Sequence, residues 1–112
     1  MQFYVYIIEG VDGWCYCGQT KDIQNRLETH NLGKNTSTKK HTPYKLIWIK
    51  TCHTRFIARY YEKLIKNYGV KKYATKQLIS FEGFEIRKRC ARIMDEYTKL
   101  MTHTMGHETI NL

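Results

Sequence analysis

The chain has one proline, Pro43, in 112 residues, and only 10 acidic side chains to set against 19 Lys and Arg. Scarce proline together with 42% hydrophobic residues excludes a disordered, low-complexity chain and leaves a folded one of a size suited to a single domain. No apolar run approaches the ~18 residues of a membrane span, and the N-terminus lacks the basic-then-apolar layout of a signal peptide. The expectation is an intracellular protein of the cytoplasm or nucleus, with no membrane partner. The four cysteines contain no C-x-x-C pair: Cys15 and Cys17 are two apart in a β-prone run, and Cys52 and Cys90 stand alone. That spacing does not make a zinc site and predicts free, mostly buried thiols in a reducing compartment. His103 and His107, separated by Gly106, read as tail residues. The shortage of acid leaves a net charge of +9, which favours a polyanionic partner, nucleic acid first.

What is present begins with "FYVYIIEGVDGWCYCGQT", two β-prone runs around Asp12-Gly13. A two-residue turn would throw Tyr6 and Tyr16 onto opposite faces. A three-residue loop, Val11-Asp12-Gly13 with Gly13 left-handed, instead pairs Gly10 with Trp14, Ile8 with Tyr16 and Tyr6 with Gly18. This register gathers Phe3, Val5, Ile7, Cys15 and Cys17 on one face and the phenols of Tyr6 and Tyr16 on the other. Gly18 beside them leaves room for a ligand backbone; the alternative is that the phenols pack under the next helix with their hydroxyls satisfied.

Further along, Thr20 is positioned to cap a helix with Ile23 and Leu27 as its apolar stripe, and Gly33 to end it. Residues 34–43 read as a basic loop and 44–52 as a third strand. Thr54 caps a second helix with Ile57, Tyr61, Leu64 and Tyr68 as its core stripe, ended by Gly69. Two more helices are expected, Val70–Ile79 and Phe84–Met101, with the last ten residues frayed. The fold class is α+β: a small three-stranded, mostly antiparallel sheet, ββαβα in order, plus C-terminal helices.

"YVY" at 4–6 and "YCG" at 16–18 resemble the paired motifs of the GIY-YIG nuclease superfamily. The resemblance continues through Arg26 and His30 in "NRLETHN", the loop and strand "LGKNTSTKKHTPYKLIW", and Glu62 in "IARYYEKLIK". It spans residues 3–79; the expected organisation is a single domain, 1–112, with 1–79 as the nuclease core and 80–112 as a C-terminal helix and tail. Tyr4 stands where the first motif has glycine, Cys17 where the second has isoleucine, and Ala74 where some branches carry asparagine. The small stand-alone branch that it resembles is related to the nuclease subunit of a junction-resolving complex and to the excision-repair incision nuclease.

The resemblance implies a metal-dependent DNA endonuclease with Tyr6, Tyr16, Arg26, His30 and Glu62 as catalytic residues. It places Mg²⁺ or Mn²⁺ on Glu62 and gives one of the two tyrosines the task of activating water. The residue types suit the work. A helix carboxylate with waters and phosphate oxygens satisfies one hard cation. Arg26 presents a planar fork of donors to a phosphate, and His30, four residues on, can bond the phosphate or move a proton. Lys34, Lys39, Lys40, His41 and Lys45 are candidate phosphate contacts, and Arg87, Lys88, Arg89 and Arg92 could extend their track. The substrate expected is branched, flap or junction DNA in repair or recombination. The other readings are a basic nucleic-acid-binding module without catalysis and a homing-type cutting head. A homodimer or protein partner stays open.

Overall fold

The structure is a computed structural model that describes residues 2–110, with side chains described for residues 2–102; His103 and His107 therefore lie outside the described side chains. The order is β1 (Phe3–Gly10), β2 (Cys15–Thr20), α1 (Ile23–Asn31), β3 (Tyr44–Cys52), α2 (Arg55–Tyr68), α3 (Val70–Leu78) and α4 (Phe81–Ile110), with a short 3₁₀ turn at Lys39–His41. The sheet is antiparallel in the order β2-β1-β3, so β1 is central and β2 is an edge. The α+β expectation holds.

The hairpin takes the expected three-residue loop. Gly13 has φ +85°, the Gly10 N–H donates to the Trp14 carbonyl at 2.8 Å, and Tyr6 pairs with Gly18 and Ile8 with Tyr16. The two faces then separate as the register requires. Val5, Ile7 and Cys17 pack with Trp48, Cys52, Ala58, Ile65 and Ala74, a core closed by α2 and α3. Tyr6 and Ile8 pack with Leu27, Tyr44, Leu46, Ile49 and Cys90, a second core closed by α1 and α4. In β3 the partner of Ile7 is Trp48 and that of Ile8 is Leu46, which leaves Ile47 as a bulge. The extra residue reverses parity, so Leu46 and Ile49 share a face.

Four expectations need correction. The N-cap of α1 is Asp22, whose side chain accepts from the Asn25 N–H at 3.1 Å; Thr20 Oγ1 accepts from the Asp22 N–H one step earlier. Thr54 does cap α2, accepting from the Ile57 N–H. But the inward residues of α2 are Ala58 and Ile65 with Tyr61, while Ile57, Leu64 and Tyr68 are exposed. The helix presents its small alanine to the sheet because α2 lies close against β1 and β2. α4 starts at Phe81 and runs through Ile110, past Met101, and Ile86, Cys90, Met94 and Tyr97 form its stripe against the second core. The fourth concerns Gly18, below. All four cysteines are free thiols, and Cys17, Cys52 and Cys90 are buried. Among the described residues no helix is long and apolar enough to cross a membrane.

Candidate active site

The site grows from β1. Tyr6 is 1% exposed, and its Oη lies 2.9 Å from His30 Nε2. His30, in the last turn of α1 and also 1% exposed, has Nδ1 2.9 Å from Thr38 Oγ1. The Thr38 hydroxyl in turn donates to the Asn35 carbonyl at 3.4 Å. With that hydrogen committed, Thr38 accepts from His30 Nδ1–H, and Nε2 carries a bare lone pair that accepts from the Tyr6 hydroxyl. Tyr44 Oη donates to the Thr38 carbonyl at 2.7 Å, which fixes the loop that holds Thr38. Tyr16 completes the group, its ring 6.5 Å from that of Tyr6 and 5.2 Å from that of His30. A Cβ on Gly18 would lie 2.5 Å from Tyr6 Oη. The space beside Gly18 is therefore taken by the Tyr6 phenol, not kept for a ligand backbone.

Burial governs the electrostatics of this chain. It pushes the Tyr6 phenol far above its ordinary value, the Tyr16 side chain adds to the rise, and the Arg26 guanidinium pulls the other way. Burial also holds His30 down to about 4, helped by the Arg26 charge. At neutral pH the imidazole is thus uncharged and its free lone pair faces a neutral phenol. Both ring nitrogens are engaged inside the protein, so His30 faces Tyr6 and not an incoming phosphate.

The opposite wall comes from around the β2 edge. Glu62, on α2, accepts from Gln19 Nε2 at 2.9 Å through Oε2 and from Lys66 Nζ at 2.8 Å through Oε1. Lys66 Nζ is also 5.9 Å from the Tyr16 ring centroid, which ties the carboxylate wall to the phenol wall. A cleft of about 320 Å³ opens beside them at the end of β2, lined by Phe3, Gln19, Lys21, Asp22, Arg26 and Arg55 among others, and Gln19 joins it to Glu62. Its lining carries three cations, Lys21, Arg26 and Arg55, against one carboxylate, Asp22. Arg55 and Lys21 lie on the Phe3 ring, at 5.2 and 5.3 Å from its centroid.

The family model of the GIY-YIG catalytic domain matches residues 2–74, the span that contains all of these side chains. The chain belongs to the GIY-YIG family. It is 36% identical over 86 residues to a UPF0213 protein of Haloquadratum walsbyi, covering 76% of this chain and 93% of that one. It is 38% identical over 64 residues to a UPF0213 protein of Streptococcus agalactiae, covering 56% of this chain and 73% of that one. Among solved structures it is similar to the solution NMR structure of a UPF0213 protein of Bacillus halodurans, at 32% identity and a TM-score of 0.46, covering 74% of this chain and 87% of that one. The names of these relatives state no activity.

A GIY-YIG domain is a nuclease domain, and nucleic acid is its substrate class. GIY-YIG nucleases are generally divalent-metal dependent, and the donor set here can be tested against that. Among the described residues no group of three or more His, Cys, Asp or Glu could hold an ion. Glu62 is a lone carboxylate whose two oxygens each accept one hydrogen bond, so lone pairs remain on both. That fits a hard cation held by one protein oxygen and completed by water and phosphate, as Mg²⁺ or Mn²⁺ is commonly bound.

Of the outer contacts read from the sequence, Lys34, Lys39 and Lys40 are exposed and form no ion pair among the described residues. His41 pairs with Asp12 and stacks on Trp14 at 4.3 Å, and Lys45 pairs with Glu9 at 3.5 Å. On α4, Arg87 donates to the Leu78 carbonyl, Arg89 to Thr51 Oγ1, and Lys88 pairs with Glu85; these three are used within the fold. Sequence reasoning missed Thr38, Gln19 and Arg55. Thr38 and Gln19 act through contacts 8 and 43 residues apart in the chain, which no local pattern reports. Arg55 was open to discovery as the first helical residue after the Thr54 cap, on the Glu62 side of α2.

Proposed function

We propose that this GIY-YIG protein is a metal-dependent DNA endonuclease that hydrolyses phosphodiester bonds in branched or otherwise distorted DNA, in repair or recombination. The observation that carries the reading is the buried Tyr6–His30–Thr38 chain. Its members are all hydrogen-bonded, and the order of those bonds fixes the tautomer and aims Nε2 at a phenol, which is what proton transfer requires. In this reading Tyr6 Oη removes a proton from the attacking water as its own proton passes to His30 Nε2. His30 becomes an imidazolium whose Nδ1–H stays on Thr38. Because burial keeps both groups neutral at rest, the transfer occurs only with substrate seated, when Arg26 grips the scissile phosphate and the cleft is closed to water. Tyr16 orients the same water from the other side.

Glu62 would hold the Mg²⁺ or Mn²⁺, with Gln19 steadying the carboxylate. When bound, the ion supplies charge for the phosphate oxygens and the leaving oxygen. The exposed Lys34, Lys39 and Lys40 contact phosphates without reading bases, which supports recognition of DNA shape over sequence. A non-catalytic binding module would not need the Glu62–Gln19 pair or the buried base. The homing-head reading needs a separate sequence-reading segment, whereas the described part of α4 is packed on β3.

The test is cleavage of labelled duplex, flap and four-way DNA, with and without Mg²⁺, by the parent, Glu62→Gln and Arg26→Ala proteins at one salt concentration. Glu62→Gln should lose cleavage by orders of magnitude while keeping or slightly tightening DNA binding. Arg26→Ala should lose both cleavage and part of the binding. A Glu62→Gln protein that cuts as fast as the parent would overturn the metal assignment.

A further inference from the structure

Leu64 and Tyr68, expected in the core, lie instead on an outward side of α2 that also carries Phe56 and Tyr60, while Tyr61 packs inward as expected. Phe56 is 81% exposed, Tyr60 59% and Tyr68 39%, with Leu64 between them. These four recur every fourth residue, so they form one stripe with successive members ~6 Å apart along the axis. At 100° per residue the stripe lies ~120–160° around α2 from Glu62, on the far side from the cleft. Two shallow grooves meet at Tyr68. One, of about 430 Å³, is lined by Tyr60, Lys63, Leu64, Asn67 and Tyr68. The other, of about 590 Å³, continues along α3 past Lys72, Thr75, Lys76 and Ile79. Lys72 and Lys76 already lie over the Tyr68 ring, at 5.0 and 5.4 Å from its centroid.

Charge decides what could cover this face. From Arg55 to Lys76 the chain has seven Lys and Arg and one acid, Glu62. Glu62 is paired with Lys66 and bonded to Gln19 of the cleft lining, and Lys63, Lys72 and Lys76 form no ion pair among the described residues. A second copy docking face to face would bring like charge onto like charge. An acidic protein segment would satisfy the lysines but has no special use for a row of rings. Exposed aromatic faces spaced along a cationic groove are what a single strand of nucleic acid uses, its bases stacking while its phosphates meet the lysines.

We propose that the outer face of α2 and α3 is a binding track for single-stranded nucleic acid, with bases stacked on Phe56, Tyr60 and Tyr68 and phosphates on Lys63, Lys72 and Lys76. It deepens the endonuclease reading by giving the unpaired arm of a branched substrate a place to lie, and it rests on the nucleic-acid part of that reading only. A strand held there is a different segment from the one at Tyr6. Fixing an unpaired arm on one side of α2 sets which phosphates reach the cleft on the other.

Binding is measured on the full chain by fluorescence anisotropy in chelator, so that no cutting occurs, with a labelled single-stranded oligothymidylate and a duplex of equal length. Phe56→Ala/Tyr60→Ala should weaken single-strand binding about tenfold or more and duplex binding less than twofold. Lys72→Ala/Lys76→Ala should flatten the salt dependence of single-strand binding, while Phe81→Ser, exposed at the start of α4, should change neither DNA. As a measurement on the parent protein, ultraviolet cross-linking to the single strand should fall on peptides containing Phe56, Tyr60 or Tyr68. Equal loss on both DNAs, no loss on either, or cross-links confined to the cleft would overturn the proposal. So would a dimer of the parent that Phe56→Ala/Tyr60→Ala dissociates, which would assign the face to a second copy. A parent protein that cuts nothing yet shows this binding pattern would retire the catalytic reading and leave the track standing.

Discussion

At Gly18 one hydrogen stands where a methyl would sit 2.5 Å from Tyr6 Oη and 2.8 Å from its Cζ. Gly18→Ala should therefore push the phenol off His30, costing about 1–3 kcal/mol of stability and most of the nuclease activity; a thermal melt and a cleavage assay check the two parts. The same variant with normal stability and activity would mean that the ring moves freely, against the fixed geometry of the Tyr6–His30 pair. His30 itself links the fold to pH. Its folded value of about 4 lies below the ordinary 6.5, so the unfolded chain takes up the proton first as pH falls. Stability is then full above about 6.5 and is lost as pH falls towards 4, by up to about 3 kcal/mol from this group. Urea unfolding across that range should show the decline, and His30→Leu should flatten it even if it lowers stability at every pH.

Helix α2 shows how an element can be placed correctly and rotated wrongly. Its bounds followed from local chemistry: Thr54 accepts from the Ile57 N–H at one end, and Gly69 takes φ +108° at the other. Its rotation did not follow, because both sides are apolar and the outward one carries the larger side chains. Ala58 weighs little in any hydrophobic pattern, yet it is the residue that lets the helix approach the sheet, and Ile65 is fully buried where Leu64 is not. The two rotations differ in a measurable way. Ile65→Ala should cost about 2–5 kcal/mol, whereas Leu64→Ala should cost well under half as much; equal losses would contradict the observed packing. The hairpin was legible for the opposite reason. Asp12-Gly13 fixes the loop, and only one register separates aliphatic residues and thiols from phenols. For α1 the capping signal was ambiguous between Thr20 and Asp22, because both make the local bonds that such residues make. The candidates Tyr6, Tyr16, Arg26, His30 and Glu62 rest on the resemblance, and the structure brings Tyr6, Tyr16 and His30 into contact. Thr38 and Gln19 could not be read from the sequence, since their roles exist only after α1, the 34–43 loop and α2 have docked.

The whole molecule is layered, with α2 and α3 on one face of the sheet and α1 and α4 on the other, and the cleft uses both sides. Tyr6, Tyr16 and Arg26 come from the α1 face and Glu62 with Gln19 from the α2 face, so the two groups meet around β2. The net charge of +9 includes Lys34, Lys39 and Lys40 in the loop after α1 and seven Lys and Arg from Arg55 to Lys76. Because β2 is an edge, half of its backbone has no partner strand. The Gly10–Trp14 bond sets the alternation, so Tyr16 and Gly18 exchange hydrogen bonds with β1 while the N–H groups of Cys15, Cys17 and Gln19 point away from it. In the proposed function, DNA seated in the cleft would lie against that same edge. Backbone deuterium uptake should report it: the outward amides of Cys17 and Gln19 should slow on adding DNA in chelator, while those of Tyr16 and Gly18, already bonded to β1, should change little. Uptake that slows only on α4 would place the substrate elsewhere. The strand that carries the second tyrosine would thus double as a built-in sensor of occupancy, readable without any chemical step.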